Sequence, residues 1–226
     1  MGTPEPVWYV SYGSNLDRNR FLAYLQGGRV AGNDVVYRGC ADTSPPVDDV
    51  PLELPHSLYF AGWSQRVWGG TSAAFITFDA RDSSTLARAY LITQQQFVEV
   101  VRQENGNRAH VDDFDVKLEG ARQQGHTRML RAGTYTELIY CGERDGSPML
   151  SFTASENRRD FGRPSDAYLR VIGNGLQDCH GLLHSELAAY LGDKPGVRGS
   201  WTHGQLVDIF TTGSPHGAFS QERPQG

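Results

Sequence analysis

The sequence predicts an α+β fold built on a small mixed sheet or β-barrel with surrounding helices. Three observations predict it. Aromatic and β-branched runs at 7–13, 57–64, 67–79 and 86–92 read as strands. Helical patterns at 17–26, 94–104, 166–176 and 184–192 alternate with them, but without the regular strand–helix–strand period of a parallel sheet. Finally, 26 glycines and 11 prolines in 226 residues, at 38% hydrophobic content, describe a loop-rich globular chain with no internal repeat.

Taken in order, VWYVSYG (7–13) is a buried strand stopped by Gly13. The next helix has Phe21, Leu22, Tyr24 and Leu25 on one side, Asn15 or Asp17 to cap it, and Gly27-Gly28 to end it. Between strand and helix lies Gly13-Ser14-Asn15-Leu16. Such a tight passage gathers backbone N–H groups and a positive helix end at one point, a cradle for a carboxylate or an oxyanion. The Pro- and Asp-rich stretch 42–56 reads as a surface loop. Two strands follow, at 57–64 and 67–79, with Gly69-Gly70 permitting a bulge. After the strand 86–92, Thr93 with Gln96 forms a capping-box pattern that opens the helix 94–104.

Residues 107–133 are polar and receive no assignment. TYTELIYCG and PMLSFTAS are expected to form a hairpin through Asp145-Gly146. Ser165 and Asp166 can start a further helix, and 184–192 is another short one. Beyond Gly192 the chain is rich in Gly, Pro and Ser apart from THGQLVDIF, and its last residues read as a disordered tail.

Composition excludes several functions. A net charge of −5 offers no global positive field to a phosphate backbone, which argues against nucleic acid as a partner. The two lysines, Lys117 and Lys194, sit in no Schiff-base or P-loop motif. No run approaches the ~18 apolar residues of a membrane helix, and the start lacks a signal-peptide pattern, so the expectation is a cytoplasmic protein with no membrane association. Cys40, Cys141 and Cys179 are odd in number and widely spaced, and read as small apolar residues. His180 and His184 have i,i+4 spacing but no Glu between them and no evident third ligand, so no metal is expected. Gly173-Asn-Gly175 fails the dinucleotide fingerprint because Asp178 stands at its last position.

Glu104 is the most informative residue. It lies +7, +4 and +3 from Phe97, Val100 and Val101, and so belongs to the buried face of its helix. Desolvation and the negative end of the helix dipole both disfavour its ionised form, which suits an acid and base working near neutrality. The alternative is a solvated last-turn Glu or one paired to an arginine.

The segment Tyr9-Val10-Ser11-Tyr12-Gly13-Ser14-Asn15-Leu16 resembles the Y-G-S-N-L signature of the γ-glutamylcyclotransferase-like (AIG2-like) family. Trp68-Gly69-Gly70, the helix ending in Gln103-Glu104, and Ser165-x-x-Tyr168 follow in the family's order, so that the resemblance runs from about Val7 to Leu191. It implies a domain over 1–191, with a partly disordered C-terminal extension at 192–226. It also implies a cyclotransferase (a carbon–nitrogen lyase or acyltransferase type of enzyme) that turns a γ-glutamyl amine or peptide into 5-oxoproline and a free amine, with no cofactor. Glu104 would be the catalytic acid and base. Tyr9, Val10, Ser11, Tyr12, Gly13, Ser14 and Asn15 would bind substrate, with Tyr168 at a further substrate-contacting position. Gly69, Gly70 and Gly106 are expected beside Gly13 where backbone approaches the pocket. The chain departs from the family by having Asn105 between Glu104 and Gly106. A non-catalytic small-molecule binding protein on the same fold, and an amidase using Ser14, are the competing readings.

Overall fold

The computed structural model describes residues 5–30, 35–64, 68–78, 83–107, 109–155 and 160–212. Its elements in chain order are β1 (Pro6–Ser11), a 3-10 turn (Ser14–Leu16), α1 (Arg18–Gln26), β2 (Gly28–Arg29), β3 (Val36–Tyr37), β4 (Asp48–Leu54), β5 (Leu58–Ser64), β6 (Thr71–Ile76), β7 (Thr85–Thr93), α2 (Gln94–Glu104), α3 (Phe114–Gln124), β8 (His126–Arg128), β9 (Glu137–Arg144), β10 (Ser147–Thr153), α4 (Asp166–His180), α5 (His184–Gly192) and α6 (His203–Thr211).

Six strands make one mixed sheet in the order β4-β7-β1-β10-β9-β8, parallel between β1 and β10 and antiparallel elsewhere. Alternation along β1 divides the interior. Trp8, Val10 and Tyr12 enter one core with β5, β6 and α4–α6, whereas Val7 and Tyr9 enter a second with α1–α3. The hairpin β5–β6 joins the main sheet through a side chain: Thr153 Oγ1 donates to Ile76 O at 2.9 Å and accepts from Ile76 N at 3.2 Å. The α+β class and the mixed strand system expected from the sequence are both present; the link between hairpin and main sheet is made by Thr153 and not by a backbone ladder.

Local chemistry explains the elements. Asp145 and Gly146 have φ of 52° and 76°, the left-handed pair that a two-residue hairpin turn requires between β9 and β10. The Thr93–Gln96 capping box forms in both directions, at 3.1 and 3.0 Å, and sets the start of α2. Residues 42–56 are not all loop, because Asp48–Leu54 is a strand. Val50, Leu52 and Leu54 alternate with polar or turn residues, and Pro51 is tolerated because β4 is the sheet edge. The unassigned stretch 107–133 contains α3, whose stripe of Phe114, Leu118 and Ala121 is one residue wide. After Gly192, Val197, Leu206 and Phe210 are buried in the same core as Leu169 and Leu176 of α4. The expected tail at 214–226 lies outside the described residues.

Candidate active site

The strand-to-helix passage after β1 is held from two sides. Tyr90 on β7 donates its hydroxyl to Asn15 O at 2.9 Å, and Arg88 Nη1 donates to Leu16 O at 3.4 Å while pairing with Asp178 of α4 at 2.6 Å. On the other side α4 lies directly against the turn: a Cβ on Gly175 would stand 2.3 Å from the carbonyl carbon of Leu16. Asp17 caps α1 by accepting from Arg20 N at 2.9 Å. The turn between these anchors puts the N–H groups of Ser14 and Asn15 at the start of a 3-10 helix, where they have no partner inside it.

Glu104 ends α2, and its partly buried side chain reaches this turn. Asn15 Nδ2 donates to Glu104 Oε1 at 2.9 Å and to the Tyr9 hydroxyl at 3.1 Å. The two residues are 89 positions apart in sequence. Asn15 Oδ1 is buried and, among the described residues, has no hydrogen-bond partner, so an unused acceptor stands next to a carboxylate. Together they suit a cationic N–H donor.

Tyr9, Ser11, Tyr12, Gly13, Ser14 and Asn15 all line one narrow cavity with Glu104 and Tyr168. Its volume of about 30 Å³ holds one or two waters. Val10 does not line it. The Val10 side chain is packed in the core with Trp8 and Ile76, and its carbonyl accepts from Ser151 Oγ at 2.7 Å. Gly69, Gly70 and Gly106 are not on the lining either. Tyr168 is fixed by Ser165, which caps α4, and its hydroxyl accepts from Ala74 N at 3.3 Å. The Tyr12 hydroxyl donates to Phe152 O at 2.7 Å. Burial pushes the phenols of Tyr9, Tyr12, Tyr135 and Tyr168 up, so they stay neutral at physiological pH.

Sequence reasoning missed Tyr135, Ala74 and Phe152 on the lining, and the buried, hydrogen-bonded pair Arg20 and Tyr24 on α1. Arg20 carried a signal, because it lies four residues before Tyr24 and so shares a helical stripe with it. Tyr135 carried none, since it reads only as one more aromatic at the start of the expected strand TYTELIYCG. What holds it is Asn105, the residue that departs from the family pattern. Asn105 Oδ1 accepts from Thr134 N at 2.8 Å and Tyr135 N at 3.0 Å, while Nδ2 donates to Tyr135 O at 3.1 Å and Val101 O at 2.9 Å. Gly133, with φ of 143°, is required beside it, because a Cβ would meet Asn105 Oδ1 at 2.3 Å. Asn105→Ala removes the side-chain partner of Thr134 N, Tyr135 N and Tyr135 O, while Val101 O still accepts from the backbone N–H of residue 105, and is expected to cost about 2 kcal/mol. It should also loosen the Tyr135 wall, lowering the denaturation midpoint and raising KM more than it lowers kcat; an unchanged midpoint would contradict this clamp.

Other clusters stand apart from this cavity. Among the described residues no group of three or more His, Cys, Asp or Glu could hold a metal, and His180 and His184 stand on different helices. The three cysteines are free, and burial pushes their thiols up to about 12, 12 and 11 for Cys40, Cys141 and Cys179. Among the described residues no helix is long and apolar enough to cross a membrane.

No family model matches the chain. A curated relative, histone deacetylase 5 of Arabidopsis thaliana, is 32% identical over 198 residues, which take in 82% of this chain. The chain spans about 30% of that protein's length. The structure of YkqA from Bacillus subtilis is similar over 84% of this chain and 55% of that one, at 16% identity and a TM-score of 0.41. A solved γ-glutamyl cyclotransferase is similar over 92% of this chain and 100% of that one, at 14% identity and a TM-score of 0.46.

Proposed function

We propose that this protein is a cyclotransferase that converts a γ-glutamyl amine or peptide into 5-oxoproline and the free amine. One observation carries the reading: the Glu104 carboxylate meets the Asn15 amide at 2.9 Å inside a tyrosine-lined cavity. The α-ammonium of the substrate gives a proton to Glu104 and a hydrogen bond to Asn15 Oδ1. The freed amine attacks the γ-carbonyl carbon, closing a five-membered ring. Negative charge on the carbonyl oxygen is met by the N–H groups of the 13–15 turn. The carbon–nitrogen bond to the leaving amine then breaks as Glu104 returns the proton to that nitrogen, and the ring nitrogen passes its second proton through Glu104 to the freed amine, leaving a neutral lactam, an ammonium product and the carboxylate restored.

Such chemistry asks for no protein nucleophile. An amidase using Ser14 would need a base beside it; the lining includes no histidine, and the carboxylate it does include, Glu104, is bonded to Asn15. The test is to incubate the protein with a panel of γ-glutamyl amino acids and amines and to separate 5-oxoproline from free glutamate. 5-Oxoproline is expected, at an unchanged rate of formation in Ser14→Ala to within about 10-fold. Free glutamate that disappears in Ser14→Ala would establish the amidase instead, and no product across the panel would favour a binding protein.

A further inference from the structure

A second cleft, of about 430 Å³, opens at the end of α2 opposite to Glu104, between the start of β1, one face of α3 and the β9–β10 turn. That volume suits a small organic ligand. Its floor is apolar and rooted in the interior, because Val7 and Leu118 are buried members of the core that α1–α3 cover, and Pro148 is buried beside them. Gln94, the first residue of α2, ties the walls together. Its backbone N–H donates to Glu5 O at 2.9 Å, and its Nε2 donates to Asp115 Oδ1 at 3.0 Å.

Three carboxylates, Glu5, Asp115 and Glu119, share this cleft with one guanidinium, Arg122, which reaches Glu143 at 3.5 Å. The acids receive neutral donors only: Asp115 from Gln94, and Glu119 from Gln123 Nε2 at 2.8 Å. Among the described residues none of the three is in an ion pair. Asp115 and Glu119 stand four residues apart on α3, a pair of like charges that weakens a helix, so helix stability does not explain the pair. Gln94 Oε1 adds a buried acceptor that has no partner among the described residues. The cleft is therefore supplied with more acceptors and negative charge than the fold uses.

The distribution of these groups selects the ligand. Among the described residues no three acidic, histidine or cysteine side chains converge closely enough to hold a metal ion, so the cation that fits carries its charge at several points. An anion would face three like charges, and a wholly apolar molecule would cover Gln94 Oε1 without pairing it. We propose that the cleft binds a linear aliphatic polyamine, with methylene segments on Val7, Leu118 and Pro148 and ammonium groups on Glu5, Asp115, Glu119 and Gln94 Oε1. The site is independent of the cyclotransferase reading, because the two cavities share no lining residue.

Spermidine is the probe. Titrated into the full chain at low salt and followed by calorimetry, it is expected to bind with a Kd below about 1 mM, and to shift the NMR signals of the Gln94 side-chain amide, Val7 and Leu118. Asp115→Asn and Glu119→Gln, both at exposed positions, should each weaken binding about 3- to 5-fold and together about 10-fold or more. Glu5→Gln, outside any helix, should weaken it similarly and covers the case that a change on α3 disturbs the fold. Asp208→Asn on α6 controls for a general attraction of cations to an acidic chain, and Glu104→Gln for binding in the catalytic cavity; each should leave the Kd within about 2-fold. The inference is overturned by no binding at about 5 mM spermidine, by an equal loss in Asp208→Asn and Glu119→Gln, or by loss of binding in Glu104→Gln. None of these readouts requires 5-oxoproline to form, so failure of the cyclotransferase reading leaves the polyamine site standing.

Discussion

Glu104→Gln is expected to lower the rate of 5-oxoproline release by about 10²- to 10⁴-fold, with little change in thermal stability. The substitution is nearly isosteric, and the new amide oxygen can still accept from Asn15 Nδ2, the contact that Glu104 makes at 2.9 Å. Its surroundings on α2 are unaffected, because the helix is anchored by Phe97, Val100 and Val101 and not by Glu104. Loss of the proton-accepting group should therefore appear in kcat with a much smaller effect on KM. Initial rates on the best γ-glutamyl substrate, read beside thermal unfolding, check both halves. A variant as fast as the parent would sink the assignment of Glu104 as acid and base, while a slow variant that is also unfolded would show nothing about chemistry, which is why both are measured.

Gly175→Ala should be the most damaging substitution outside the cavity. Its Cβ would sit 2.3 Å from the carbonyl carbon of Leu16 and 2.4 Å from Asp17 N. Both are backbone atoms of the passage that carries Asn15, so no flexible side chain can give way. Either α4 or the turn must shift, at a cost of about 1 to 3 kcal/mol or more. A displacement near 1 Å between Asn15 and Glu104 should reduce kcat/KM by about 100-fold. Gly204→Ala on α6 is the matched control, because a Cβ there meets nothing within 4 Å; it should be neutral or slightly stabilising. Denaturant midpoints that leave Gly175→Ala level with Gly204→Ala would refute the claim that helix and turn are in contact.

Several parts of the site were legible because they are local. The Thr93 capping box, the helix stripe that turns Glu104 inward, and the strand that delivers Tyr12 to the turn follow from spacing over a few residues. The Asp-Gly hairpin was readable for the same reason. Val10 shows the limit of a contiguous motif, since its side chain is packed in the core with Trp8 and Ile76 while its neighbours Tyr9 and Ser11 line the cavity. Composition misled at Asp48–Leu54, where Asp and Pro indicated a loop but an edge strand has a free side on which proline costs little.

What the sequence by itself determined is the α+β class, most elements, and the two ends of the proposed site: a turn of free amides and a carboxylate on a buried helix face. What only the tertiary structure decided is their meeting. The 89-residue separation of Asn15 and Glu104 is closed by strand order, with β1 beside β7 and α2 continuing directly from β7. Likewise Asn105 proves to be a clamp on Tyr135, and Arg20 a buried charge that donates to the hydroxyls of Tyr37 and Tyr24. The physical reason is common to all three. Helix faces and turns depend on neighbours a few residues away, whereas a hydrogen bond or an electric field acts between groups that only packing brings within a few ångströms of each other.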